Sequence, residues 1–547
     1  MTIKTTTMDI KGMTCDHCAT SVSKLLTMDG IVEKQVSYPD HSAKVKFDAE
    51  KISLQTITVK INGTGQYRVT DTREENVNNN GTEKHLIIIG GGSAAFAATL
   101  EAREQGARVT MINDGLPIGG TCVNVGCVPS KNLIRAAEAL HRSQQNPFPG
   151  IETKGSVSDF KAVMNQKRTL VQDLRQHKYV DIVKDMDDFQ LIQGRAKVLS
   201  PATVEVNGQT LEGDRILIAT GARPHIPDIE GLEKVPYLTN EGAFKLEKLP
   251  ESILVLGGRY IALEIGQLFS RLGSRVTILQ RSERILPTET EDLTAGLTRY
   301  LREEGLEVVT GNAFVRVYEQ DGQVSVASKV GGELKTFKAE KLIVATGRTP
   351  NTNQMGLEEV EVELRQNGSI MADETLQTSV PTIYAAGDVL GENMFVYTAA
   401  YEGKLATRNA LIGEVTKTDY AVLPWVIFTD PQVTGVGLDE VQARAQGIDA
   451  ESSTVDLDQV PRAIAARDTR GFIKLIRNRD SDKLLGARIL APEGSELIME
   501  VSLAIKYGIT VKELVGMFHP YLTLSEGIKL AAITFGKDVK ELSCCAT

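Results

Sequence analysis

Cysteine is scarce in this chain: six residues in 547. A secreted scaffold stapled by disulfides carries more of them and spaces them out, so that class is excluded. The six fall into three close pairs, Cys15/Cys18, Cys122/Cys127 and Cys544/Cys545. Core-filling cysteines scatter singly, so the pairing points to metal or redox chemistry. Long apolar runs are also missing. No stretch reaches the roughly 18 apolar residues of a spanning helix, and no membrane span is predicted. The opening "MTIKTTTMDIKG" has no apolar signal core, so the cytoplasm is the expected compartment. Positive charge is in deficit. Lys and Arg number 61 against 71 Asp and Glu, a net charge of −10 spread along the chain. That argues against nucleic acid as the main partner and fits a soluble enzyme.

What is present is ordinary globular material, 41% hydrophobic and 24% charged, long enough for three or four domains. Residues 1–70 read as a small α+β unit. "TTTMDIKGM" and "KQVSYPDHSAKVKFD" alternate like strands, and "CATSVSKLLTMDG" has helical spacing closed by Gly30. The stretch "DTREENVNNNGTEK" is polar and Asn-rich, and reads as a flexible linker over roughly residues 71–83. Two stretches then repeat one pattern of strand, glycine turn, helix and strand: "HLIIIGGGSAAFAATLEAREQGARVTMIND" and "SILVLGGRYIALEIGQLFSRLGSRVTILQRSER". They predict two dinucleotide-binding domains. From about residue 420 the texture becomes strands followed by helices.

The first turn, Gly90-Gly91-Gly92-Ser93-Ala94-Ala95, is a G-x-G-x-x-A. Gly90 permits the tight turn, Gly92 lets a pyrophosphate reach the backbone, and Ala95 lets the helix sit close to the strand. Asn113 stands where a ribose-binding acid is expected, with Asp114 beside it. The second turn carries Arg259 in the second glycine position of Gly257-Gly258-Arg259-Tyr260-Ile261-Ala262, so its fingerprint is damaged. Its second strand ends in Gln280-Arg281, with Arg284 nearby and no acid. Arginine can pair with a 2′-phosphate that an acid would repel, which predicts NADPH over NADH. Between the turns lies "GGTCVNVGCVPSK". Gly119, Gly120 and Gly126 permit close packing against a flat ring. Cys122 and Cys127 can cycle between disulfide and dithiol, and Lys131 favours a thiolate.

This stretch resembles the pyridine nucleotide-disulfide oxidoreductases, supported by "ILIATGARP" (216–224), "LIVATGRTPN" (342–351) and "TIYAAGDV" (382–389). The resemblance covers roughly residues 84–547. It implies FAD in the first domain, with Asp388 near the flavin and Lys131 at its N5 edge, and NADPH in the second. Tyr260 would gate the nicotinamide and Glu264 would pair with Lys131. Further cofactor contacts are implied at Gly115, Thr121, Ala222, Val396 and Gly347. By the same analogy Cys127 lies on the flavin and Cys122 faces the substrate.

Disulfide-reducing members carry His-Pro-Thr-x-x-Glu near the C-terminus. Here "FHPYLTLSEG" keeps the spacing of Thr523 and Glu526 but puts Tyr521-Leu522 where His-Pro belongs. His519 comes two residues early and reads as a surface or structural histidine. A phenol titrates near pH ~10, too high for thiol exchange at neutral pH. Tyr521 is expected instead to contact a thiophilic ion or its ligands. "GMTCDHC" resembles the heavy-metal-associated domain, a βαββαβ fold. Its Cys15 and Cys18 offer two thiolates at a helix start, suited to Hg(II) or Cu(I), with His17 an exposed spacer.

These features together resemble the mercury(II)-reducing members of the family. The expected architecture is α/β: two Rossmann-like FAD and NAD(P)H domains plus an α+β dimerisation domain, preceded by a ferredoxin-like metal-binding domain. The expected ranges are 1–70 for the metal-binding domain and 71–83 for the linker. FAD binding takes 84–235 and 351–420, NADPH binding 236–350, and dimerisation 421–547. The implied reaction is NADPH + Hg(II) → NADP⁺ + H⁺ + Hg(0). Mercury would pass from Cys15/Cys18 or small thiols to Cys544/Cys545, then to Cys122/Cys127. In this family the tail reaches the partner subunit's site, so a homodimer is implied. Adjacent cysteines close only a strained small ring, so holding one soft ion is their expected use. The rival readings are a dithiol–disulfide oxidoreductase of the dihydrolipoamide dehydrogenase type and a metal carrier with a vestigial flavin core.

Overall fold

A computed structural model describes residues 3–49, 51–75, 84–413, 415–538 and 541. The chain divides into two units, Met1–Glu83 and Lys84–Thr547. In the first, β1 (Ile3–Lys11), α1 (Asp16–Leu25), β2 (Ile31–Ser37), β3 (Ser42–Asp48), α2 (Leu54–Asn62) and β4 (Arg68–Glu75) follow the predicted βαββαβ order. The sheet runs β2-β3-β1-β4 with antiparallel neighbours. Strand alternation decides which face is buried: Ala43, Val45 and Phe47 go inward while Lys44 and Lys46 stay out. They meet Val22 and Leu26 from α1 and Ile57 and Ile61 from α2.

Two details depart from the expectation. α1 stops at Leu25, and Gly30, with φ of 94°, turns the chain into β2 rather than capping the helix. β4 runs to Glu75, so residues 71–75 are strand, paired to β1, and not linker. Polar composition misled there because an edge strand of Thr, Arg, Asp and Glu needs only backbone pairing to persist. Residues 76–83 lie outside the described residues.

The second unit opens with β5 (His85–Ile89), buried along its whole length. A parallel strand covered on both faces needs such a continuous apolar run. α3 (Ser93–Glu104) and β6 (Arg108–Asn113) complete the first crossover. α4 (Gly120–Val125), α5 (Cys127–Gln144) and α6 (Phe160–Arg175) precede β7 (Phe189–Gln193). The parallel sheet reads Ile383–Ala385, Arg215–Ile218, β5, β6, β7. Its outer strand, Ile383–Ala385, comes from far along the chain, so this sheet is built from two separated stretches. A second parallel sheet reads Tyr237–Leu238, Lys341–Val344, Ser252–Leu256, Arg275–Leu279, Glu307–Val309. The two chain crossings between these sheets pair with each other, Ala222–Pro224 against Arg348–Pro350.

The last part is a five-stranded antiparallel sheet running from Trp425–Ile427 through Gln432–Gly437, Leu484–Ala491 and Phe472–Asn478 to Ala450–Asp456. Helices Gly494–Lys506, Val511–Gly516 and Glu526–Ile533 follow it in the chain or pack on it.

Candidate active site

The redox loop is shaped by glycine. Gly119 and Gly120 have φ of 92° and 61°, a left-handed pair that L side chains rarely adopt. A Cβ on Gly120 would stand 2.7 Å from Gly92 Cα, so this loop lies directly on the nucleotide turn. Asn124 locks it by donating to Gly120 O at 2.8 Å and Pro117 O at 2.9 Å. Cys122 lies on α4 and Cys127 is the first residue of α5. At a helix N-terminus the exposed amides favour a thiolate.

The two cysteine side chains are hydrogen-bonded to each other. The Cys122 thiol donates to Cys127, which brings the Cys127 pKa down to about 7, and Lys131 assists. The same hydrogen bond, together with burial, pushes the Cys122 thiol up. The pair therefore favours a thiolate on Cys127 over one on Cys122. Lys131, one turn along α5, pairs with Glu264 Oε2 at 2.7 Å, and its ammonium lies 4.6 Å from the Phe428 ring centroid. Glu264 is 8% exposed, and its other oxygen accepts from the Phe428 amide at 3.0 Å. The predicted Lys131–Glu264 pair thus forms, within the same cluster as the cysteines.

Around the first turn, a Cβ on Gly90 would stand 2.1 Å from Ala219 O, and one on Gly91 2.4 Å from Asn113 Oδ1. Ala95 is fully buried in α3. Asn113 lies across Gly91 and donates to Leu116 O at 2.9 Å, while Asp114 and Gly115 are exposed. Arg348 gathers three predicted positions: it donates to Thr121 Oγ1 at 3.4 Å and to Ala222 O, and lies 3.4 Å from Asp388 Oδ2. Its buried Nε finds no hydrogen-bond acceptor among the described residues. Burial raises the Asp388 carboxyl pKa, against the pull of Arg348. Gly347 and Val396, the first residue of helix Val396–Ile412, complete the predicted set; Gly347 leaves open space at its Cβ position.

The second turn repeats the first. A Cβ on Gly257 would stand 2.3 Å from Ala345 O. Arg259 has φ of −109°, a value any residue adopts, so arginine fits there without strain. The damage to the fingerprint is one of access, not of conformation. Arg281 is exposed at the end of its strand, whereas Arg284 donates to Pro287 O at 3.3 Å. Tyr260 opens helix Tyr260–Leu272, where burial pushes its phenol up to about 12.

Two residues were missed from sequence. Arg348 lies within "LIVATGRTPN", where no local pattern marks it out. Tyr179 lies in a π-helical turn, Gln176–Val180, that continues α6. Its phenol is raised chiefly by burial. Its ring meets Phe96 edge-on at 4.8 Å, and a Cβ on Gly119 would approach it to 3.2 Å. The extra residue of a π-turn rotates the helix face, so 3.6-residue periodicity does not find Tyr179. His519 is not a surface residue: its side chain is 5% exposed and its Nε2 meets Glu500 Oε1 at 2.6 Å. Tyr521 is half exposed. Cys544 and Cys545 lie outside the described residues.

In the N-terminal unit, Cys15 is the exposed residue preceding α1, and its Sγ is 3.7 Å from the buried Cys18 Sγ. Hydrogen bonds from Thr14, and further ones from Cys15 and Tyr67, bring Cys18 down to about 6. His17 is exposed. No group of three or more His, Cys, Asp or Glu side chains placed to hold one ion occurs among the described residues. A lowered thiol pKa means the thiolate is present above pH 6 and is lost as pH falls through it. Metal capture by this unit is expected to weaken below pH 6. Tyr67→Phe is expected to move the Cys18 titration upward, read by the ultraviolet absorbance of the thiolate; an unmoved titration contradicts the assignment.

The family described as pyridine nucleotide-disulphide oxidoreductase matches residues 84–403, and its dimerisation domain matches 423–532. The heavy-metal-associated domain matches residues 7–66. The mercuric reductase of Lysinibacillus sphaericus is 43% identical over 98% of this chain and 99% of that protein. That of Acidithiobacillus ferrooxidans is 42% identical over 99% of each. Among solved structures, the HOCl-induced flavoprotein disulfide reductase RclA from Escherichia coli superposes with a TM-score of 0.74 at 29% identity, covering 83% of this chain and all of that one. With both domain matches and full-length relatives above 40% identity, the chain belongs to the pyridine nucleotide-disulphide oxidoreductase family and, within it, to the mercuric reductases.

Proposed function

We propose that this chain is an NADPH-dependent flavoenzyme that reduces Hg(II) to volatile Hg(0) and so detoxifies mercury. The observation that carries the reading is the Cys122/Cys127 pair on a loop packed against the first nucleotide turn, in one cluster with the Lys131–Glu264 ion pair. The residues present fit FAD in the first cradle. Gly90 and Gly92 would open the backbone to the pyrophosphate, and Arg348, Asp388 and Thr121 line one rim beside it. Gly115, Ala222, Val396 and Gly347 are assigned to that site with them. NADPH would be held at the second turn, which Gly257 tightens against Ala345 O, with exposed Arg281 the group that would pair with the 2′-phosphate. Bound FAD supplies a relay that passes the two electrons of NADPH to the metal.

The protein's own residues do the rest. Cys127 presents a ready thiolate to the ion, and Cys122 releases its proton as the second sulfur binds. Two thiolates match the preference of a soft ion for sulfur. Tyr179 and Tyr521 bring phenol oxygens to the ion's path. Glu264 fixes the Lys131 ammonium where it holds negative charge near the sulfurs. A disulfide substrate is disfavoured because Tyr521-Leu522 stand where the His-Pro of disulfide-reducing members belongs, with His519 two residues early.

Met499, Leu503, Tyr507, Phe518 and Leu522 are exposed on the terminal domain. Such a patch suits a second copy of the chain, and the working unit is read as a homodimer with Cys544 and Cys545 serving the partner's site. No helix among the described residues is long and apolar enough to cross a membrane. The cytoplasm, rich in NADPH and small thiols that carry Hg(II), is the assigned compartment.

The double variant Cys544→Ala/Cys545→Ala tests the delivery route. Hg(II) turnover with small-thiol complexes is expected to fall by about two orders of magnitude while NADPH still bleaches the flavin. Full turnover in that variant contradicts delivery by the tail.

A further inference from the structure

The Tyr260 ring belongs to a run of four near-parallel aromatic rings. It stacks with Phe395 at 6.3 Å and 21°, and with Trp425 at 6.1 Å and 16°. Phe395 stacks in turn with Tyr397 at 5.3 Å and 5°. The run draws on three parts of the fold: Tyr260 opens a helix of the second dinucleotide sheet, Phe395 and Tyr397 flank the start of helix Val396–Ile412, and Trp425 begins the edge strand of the terminal sheet. Tyr397 also donates to Pro424 O, the carbonyl just before the indole.

Trp425 is anchored from behind. Its strand partner is Gly435, where a Cβ would stand 2.6 Å from the indole Cζ2, so glycine alone leaves room for the ring. Its carbonyl accepts from Thr434 Oγ1 at 2.6 Å. The Arg488 guanidinium lies 5.8 Å from the ring centroid and is 2% exposed. Glu289 at 3.0 Å and the Ala487 carbonyl at 2.9 Å hold that guanidinium. The indole is thus a fixed wall, and the Tyr260 ring, at the first position of its helix, is stacked on it.

We propose that Trp425 is a positioning residue for the nicotinamide gate: it holds Tyr260 in the stacked pose and sets how readily a nicotinamide ring displaces it. This rests on the reading of Tyr260 as that gate. An offset aromatic pair contributes enough to shift a binding constant about 2- to 10-fold. Removing the wall weakens the stacked pose that competes with the nicotinamide.

The test uses the FAD-loaded enzyme and two ligands, NADP⁺ and 2′-phospho-ADP-ribose, which lacks the nicotinamide. In Trp425→Ala, NADP⁺ is expected to bind about 2- to 10-fold tighter while the fragment binds unchanged, and Trp425→Phe is expected to restore the original ratio. Equal shifts for both ligands, or no shift in either, overturn the proposal. Tyr260→Ala separates the two claims. If it leaves the ratio unchanged, the gate reading itself fails. If it changes the ratio and Trp425→Ala does not, only the positioning role fails. Trp425 is the one tryptophan in the chain, so wild-type emission decides the matter even if Trp425→Ala does not fold. Emission is expected to change with NADP⁺ and not with the fragment. An identical response to both overturns the proposal.

Discussion

Replacing Cys127 by serine is expected to lower Hg(II) turnover at least about a thousandfold, roughly 4 kcal/mol of barrier. A hydroxyl at that position stays protonated at neutral pH and is a hard ligand, so the soft ion loses its first anchor. Cys122→Ser should cost as much, because one sulfur cannot hold the ion through its reduction. Reduction of the flavin by NADPH should survive in both variants, since neither cysteine touches the second nucleotide turn.

The pair also makes a pH statement. The Cys127 thiolate is stabilised chiefly by the hydrogen bond from Cys122, and its pKa of about 7 depends on that donor. The thiolate fills as pH rises through 7 and is lost below it. In Cys122→Ala the donor is gone, so alkylation of Cys127 should require a higher pH than in the wild type. A pH profile that does not move would mean that Lys131 and the helix end alone hold the thiolate.

The second large effect falls on the fold that carries the site. A Cβ on Gly403 would stand 2.1 Å from Ala94 O. That carbonyl belongs to α3, the helix opened by the first nucleotide turn, and Gly403 lies within helix Val396–Ile412. Valine there cannot be absorbed by a side-chain rotation, because the opposing atom is backbone. Gly403→Val is expected to cost about 3 kcal/mol or more, with α3 displaced from its sheet. Thermal unfolding should shift down by several degrees, on the order of 2–4 °C for each kcal/mol in a domain of 150–250 residues. The purified protein should also lose FAD. A variant with unchanged unfolding and full FAD content contradicts the close helix contact.

Much of this was legible in the sequence because its signals are local. A buried parallel strand running into Gly90-Gly91-Gly92 dictates a turn and a helix, and "GGTCVNVGCVPSK" encodes its own loop through two left-handed glycines. Cys15 and Cys18 sit three apart at a helix start, which alone brings their sulfurs together. Other features depend on pieces that meet only in three dimensions. Arg348 reaches Thr121, Ala222 and Asp388 across more than 200 residues of chain for the first of them. Tyr179 owes its direction to a π-turn, and Trp425 finds Tyr260 only because Gly435 leaves space behind it. The linker was overextended to Arg73 and its neighbours because a polar edge strand and a polar coil share one composition.

The central claim is that electrons from NADPH reach Hg(II) through this cysteine pair. The most direct measurement supplies the FAD-loaded enzyme with NADPH, Hg(II) and excess small thiol, and traps volatile mercury. One Hg(0) released per NADPH oxidised, and none from the Cys122→Ser/Cys127→Ser double variant, is the expected result. Oxidation of NADPH by lipoamide with no mercury vapour would contradict it, as would mercury release that survives loss of both cysteines.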